Sequence, residues 1–118
     1  LYQRVGGIPY FKDLVERFYR FVEVDATLRP IYPEDLEPGK ARLAAFLAQY
    51  WGGPQRYALE RGHPRLRQRH MQFPIGQEER DKWVTHMISA LNSMEISVDD
   101  STLMEDYFKS TATQMINR

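Results

Sequence analysis

Between Pro9 and Asp25 the apolar residues Phe11, Leu14, Val15, Phe18 and Val22 return every three or four positions. That is the period of an α-helix with one face in a core. Pro9 stands where a first helical turn tolerates a missing N–H, so the pattern predicts a helix over residues 8–23. Glycine and proline divide the rest of the chain into further segments of the same kind. A short helix is expected from about Asp25, a candidate N-cap, to the Pro30–Pro33 region, which ends it. Residues 39–51 set Leu43, Phe46, Leu47 and Tyr50 on one stripe, and Gly52-Gly53-Pro54 stops that helix. Residues 54–63 read either as a short helix or as an ordered loop, and Pro64 opens a short helix that ends near His70. Residues 77–94 place Trp83, Met87, Leu91 and Met94 on one line, and residues 101–117 turn Met104, Tyr107, Phe108, Thr111 and Met115 inward. No segment alternates convincingly as a strand would, and no heptad is sustained, so the expected fold class is all-α without a coiled coil.

The 118 residues make a single domain over 1–118. With 16 basic and 16 acidic residues the net charge is zero, so no global field draws the chain to nucleic acid or anionic membrane. No apolar run approaches the roughly 20 residues of a membrane span. The opening residues show no signal-peptide pattern. Cysteine is absent, which excludes disulfides, thiolate metal sites and cysteine nucleophiles and is compatible with a cytoplasmic location.

The densest chemistry lies between Tyr50 and Pro74. Two of the three histidines are there, with Arg61, Arg65, Arg67 and Arg69. His63 precedes proline and reads as a loop or helix-entry residue. His86 follows Trp83 by three positions, about 120° around the helix from the apolar line, and reads as a solvated boundary residue. His70 is different: Leu66 lies one turn before it and Met71 and Phe73 follow it, so its ring is expected to face apolar space. A helical imidazole can bond one nitrogen back to a carbonyl and offer the other to a metal. Arg67 and Arg69 stand ready to pair with carboxylates on a cofactor edge. Zinc fits poorly, since it takes three or four protein ligands and neither cysteine nor HExxH occurs. A nucleic-acid patch fits poorly too, because no stacking aromatic is interleaved with the arginines. One histidine with no clustered partners suits haem, whose porphyrin supplies the other four nitrogens.

Tyr19, Tyr32 and Trp83 are rigid neutral donors on or beside apolar faces. Each can be a core aromatic whose polar atom meets a backbone carbonyl. Directed into one pocket, the three can instead hold a diatomic ligand at a metal, each bond contributing roughly 1.5–3 kcal/mol when the acceptor carries charge. Leu43 is then an apolar wall.

The chain resembles the truncated haemoglobins, specifically the group II (O-type) subgroup of bacteria and plants. The resemblance rests on VGG at 5–7, RFY at 17–19, IYPEDL at 31–36, FLAQYWGGPQRY at 46–57, RGHPRLRQRH at 61–70, FPI at 73–75 and ERDKW at 79–83. It implies a two-over-two helical sandwich enclosing haem b, with His70 as the proximal iron ligand. By the same resemblance Tyr19, Tyr32 and Trp83 are distal hydrogen-bonding residues. Gly39 stands where many globins carry a distal histidine, with Leu43 the wall residue one turn later; that glycine is expected to leave a side opening. Phe46, Leu66, Arg67, Arg69, Met71, Phe73 and Met87 complete the expected cofactor contacts.

The function expected is reversible binding of O2, and of CO and NO, with slow release. The alternative is a haem-dependent redox enzyme, peroxidase-like or an NO dioxygenase, which needs an external reductant because no flavin or nicotinamide motif is present. Oxygen transport belongs to the first reading, although slow release suits sensing or redox work better than bulk carriage. A haem-free helical interaction module is the remaining class. Exposed Met and Tyr side chains leave a homodimer open.

Overall fold

The computed structural model describes residues 2–53 and 73–117, and among these every regular element is helical. Helix α1 spans Ile8–Val24. Gly7, at φ 78°, turns the chain into it in a conformation that a side chain would resist. All five stripe residues are buried, and Tyr10 and Tyr19 join them.

Residues 25–33 do not form the short α-helix expected of them. Asp25 does cap: its Oδ1 accepts the N–H groups of Thr27 at 2.8 Å and Leu28 at 3.1 Å. One turn closes, with Arg29 N–H donating to the Asp25 carbonyl at 2.9 Å. Pro30 then has no N–H to continue the ladder, and the chain tightens into a 3₁₀ helix over Arg29–Ile31.

Helix α2 spans Glu37–Tyr50, two residues earlier than expected, because Pro38 occupies its first turn. Ala44, Phe46, Leu47 and Ala48 are buried, while Leu43 is half-buried. Tyr50, the last helical residue, is 55% exposed, and its ring leans on Tyr107 at 4.2 Å between centroids.

Helix α3 spans Gln77–Asn92, and Glu79 accepts the Gly76 N–H at 2.6 Å ahead of it. It stops short of Met94. Helix α4 spans Val98–Gln114 and starts three residues before the expected position. The signal is Ser97, whose hydroxyl accepts the Asp100 N–H at 3.1 Å. Asp100 itself is buried against Arg4, with Nη2 2.7 Å from its Oδ1. Met104, Phe108 and Ala112 face the core, and Tyr107 and Thr111 are half-buried.

Helix α1 packs on both α2 and α3, and α4 packs on α3. Two helix pairs thus meet along α1 and α3. Phe11, Phe18, Met87, Leu91, Met104 and Phe108 fill that junction, each worth about 1.5–3 kcal/mol of burial. Asn117 fastens the segment leading into α3: its amide donates to the Phe73 carbonyl at 2.8 Å and its Oδ1 accepts the Ile75 N–H at 3.0 Å. No described helix is long and apolar enough to cross a membrane.

Candidate functional site

Three elements bring Tyr19, Tyr32 and Trp83 together. Tyr19 projects from α1 and is 4% exposed. Its ring meets Tyr32 edge-on at 5.7 Å and Phe18 at 5.4 Å. Phe18 in turn meets Trp83 of α3 at 5.1 Å, so one core phenylalanine touches two of the three polar aromatics. Nothing in the helical stripe marks Phe18 for that role.

Tyr32 is held by the 3₁₀ turn. Its N–H donates to the Arg29 carbonyl at 3.1 Å. The Arg29 guanidinium reaches over the exit and donates to the carbonyls of Pro33 and Glu34, each at 2.9 Å. With Pro30 and Pro33 fixing φ on either side, the tyrosine stands on a stiff support.

Burial pushes the Tyr19 hydroxyl up to about 12, against the opposing pull of Arg42 and Lys40. The Lys40 ammonium lies 5.9 Å from the Tyr19 ring centroid and pairs with Glu16 at 3.4 Å and Glu37 at 3.1 Å. Burial pushes Tyr32 up further; Tyr19 adds to the rise, and a hydrogen bond with Trp83 opposes it. Both phenols therefore keep their protons at neutral pH and serve as neutral donors.

Gly39 lies against this cluster. A β-carbon there would sit 3.0 Å from Tyr19 Oη and 3.9 Å from its Cζ. The room left by the missing side chain is bounded on one side by the tyrosine hydroxyl. Leu43 follows one turn later, half-buried and packed against the core. Met87, one turn after Trp83, is fully buried. Phe46 is buried nearer the other end of α2, 6.5 Å from the Tyr50 ring. Phe73 is half-buried in the segment that Asn117 fastens. His63, Leu66, Arg67, Arg69, His70 and Met71 lie outside the described residues, as do the expected elements over 54–63 and 64–70.

His86 departs from expectation. It is not a solvated boundary residue: its Nε2 is 2.6 Å from Asp25 Oδ2, and its ring lies flat on Phe21 at 5.4 Å and 3°. A helical wheel gives no sign of this, because the partner is 61 residues away.

Among the described residues no group of three or more potential metal-ligating side chains occurs. The model of the bacterial-like globin family matches residues 1–117. The group 2 truncated haemoglobin YjbI of Bacillus subtilis is 35% identical over 117 residues, covering 99% of this chain and 88% of YjbI. The chain belongs to the group II truncated haemoglobins of the bacterial-like globin family. Solved structures place this truncated haemoglobin's fold in the same group. The haemoglobin of the thermophilic phototroph Chloroflexus aurantiacus matches with a TM-score of 0.97 at 49% identity, covering 99% of this chain and 97% of that one. The group II truncated haemoglobin of Bacillus anthracis matches with a TM-score of 0.94 at 33% identity, covering 98% and 94%. The fold is the two-over-two helical sandwich, and a globin of this family carries haem and takes small gaseous ligands. The described half of the site suits such a group: Leu43 offers apolar surface on α2, the Tyr19 hydroxyl lies beside Gly39, and Tyr32 adjoins both Tyr19 and the Trp83 indole.

Proposed function

We propose that this truncated haemoglobin holds haem b through His70 and reversibly binds O2, releasing it slowly. The carrying observation is the convergence of Tyr19, Tyr32 and Trp83 from three elements, with both phenols held protonated. When bound, haem supplies the iron at which O2, CO or NO attaches. Phe46, Leu66, Met71, Phe73 and Met87 would hold its apolar body, and Arg67 and Arg69 its propionates. Tyr32 and Trp83 orient donors toward the ligand, and Tyr19 braces Tyr32 from the α1 side. A donor bond to a polarised ligand contributes roughly 1.5–3 kcal/mol, about tenfold or more in release rate.

The test is an absorbance spectrum of the ferrous, hemin-loaded protein before and after adding O2 and CO. Both gases should shift the Soret band, and His70→Ala should lose the wild-type Soret spectrum. A protein that takes up no hemin, or a His70→Ala variant with the wild-type spectrum, would overturn the assignment.

A second reading, redox turnover of NO or peroxide, draws support from a run of touching rings. Trp83 meets Phe108 at 5.9 Å, Phe108 meets Tyr107 at 5.6 Å, and Tyr107 meets the exposed Tyr50 at 4.2 Å. Such a run gives an external reductant a short path inward. Steady-state NO or peroxide consumption with a physiological reductant supports this reading, and its absence leaves ligand binding alone.

A further inference from the structure

Asp25 and His86 lie outside the cluster of donors, yet they join the two stretches of backbone that supply Tyr32 and Trp83. His86 is on α3, three residues past Trp83. Asp25 ends α1 and opens the turn that delivers Tyr32. Their side chains meet at 2.6 Å, with the Asp25 side chain 9% exposed and that of His86 20%. The two carboxylate oxygens have separate roles. Oδ1 takes the Thr27 and Leu28 N–H groups and shapes the turn; Oδ2 faces His86 and holds α3. Phe21, lying flat on the imidazole, fixes the plane in which Nε2 points. The bond with His86 and the backbone N–H groups hold the Asp25 carboxyl below the usual carboxylate range, so the acceptor is charged.

We propose that Asp25 and His86 form a positioning pair that sets the Trp83 indole against the Tyr32 hydroxyl and thereby governs ligand release. The proposal rests on the O2-holding reading of the site. A short, charge-assisted bond largely out of water resists sliding of α3 past the turn. Trp83 is less than one helical turn from His86, about 4.5 Å along a rigid axis, and moves with it. Tyr32 is tied to the other partner through the Arg29 N–H bond to the Asp25 carbonyl and the Tyr32 N–H bond to the Arg29 carbonyl.

The experiment measures O2 release by stopped flow for wild type, His86→Ala, His86→Gln and Asp25→Asn, each also in a Trp83→Phe background. The C–O stretch of the ferrous CO complex and the thermal midpoint are recorded alongside. His86→Ala should speed O2 release roughly three- to tenfold, the effect of loosening one charge-assisted donor, and raise the C–O stretch. Asp25→Asn, which keeps Oδ1 for the turn, should move both in the same direction. His86→Gln, whose amide can still donate to Asp25, should restore most of the wild-type behaviour and keeps the test open if His86→Ala does not fold. In the Trp83→Phe background His86→Ala should add almost nothing. If the effect persists undiminished there, or if only the thermal midpoint moves, the pair is merely structural and the proposal falls alone. If Trp83→Phe itself leaves O2 release unchanged, the positioning role falls; if Tyr32→Phe leaves it unchanged as well, the reading of the site falls with it.

Discussion

Replacing Gly39 by alanine sets two effects of known size against each other. In a helix alanine is worth up to about 1 kcal/mol over glycine, and less than that here, because Gly39 lies in the first turn of α2. The new β-carbon would sit 3.0 Å from Tyr19 Oη, so the hydroxyl must retreat by a few tenths of an ångström. The ring has little room to do so: it is 4% exposed and bounded by Phe18 at 5.4 Å and Tyr32 at 5.7 Å. Overpacking of this kind costs about 1–3 kcal/mol, which matches or exceeds the helical gain. Gly39→Ala should therefore leave the thermal midpoint unchanged or lower, while displacement of Tyr19 toward Tyr32 speeds O2 release about three- to tenfold by misplacing one donor. The control is the same change in Tyr19→Phe. With the hydroxyl gone the nearest atom is Cζ at 3.9 Å, an ordinary contact. There Gly39→Ala should raise the thermal midpoint and leave release unchanged. Stopped-flow release and thermal melts of the four proteins decide it. Equal effects of Gly39→Ala in both backgrounds would refute the claim that this glycine makes room for the Tyr19 hydroxyl.

Gly53→Ala should destabilise the fold by about 1–3 kcal/mol, because its β-carbon would run into the Tyr2 ring and sit 2.8 Å from the Ala48 carbonyl oxygen; a urea midpoint equal to wild type would argue against that packing. Alkaline titration gives a further test. Burial raises the hydroxyls of Tyr10, Tyr19 and Tyr107 to about 12. In the unfolded chain they ionise near 10, so the folded state holds more protons between those values. Their contribution to stability is full below about pH 10 and is lost as pH rises toward 12. Urea midpoints that do not fall between pH 9 and pH 11 would contradict that burial.

Periodicity carries far along this chain but stops at predictable places. The α1 stripe reads directly, since its buried face repeats within a single helix. The start of α4 does not, because the deciding feature is one Ser97 hydroxyl and not an apolar residue. The 25–33 segment contains a legible cap at Asp25 and a legible stop at Pro30, yet the tightening to a 3₁₀ turn depends on the two acting five residues apart. Leu43 and Tyr50 share the α2 stripe with Phe46 and Leu47, but burial depends on which neighbour lies opposite, and the sequence does not carry that. Tyr19, Tyr32 and Trp83 can be picked out as neutral aromatic donors; their convergence requires the turn that Arg29 closes over. The Asp25–His86 pair has no local signature, and Phe18 looks like any other core residue until its two neighbours are in place.

The central claim is that Tyr32 and Trp83 hold O2 at haem carried by His70. It is tested most directly by O2 release from the ferrous protein, compared with Tyr32→Phe and Trp83→Phe. Slow release from wild type, with each variant faster by about tenfold or more, is the result expected; wild-type release rates in both variants would contradict the account.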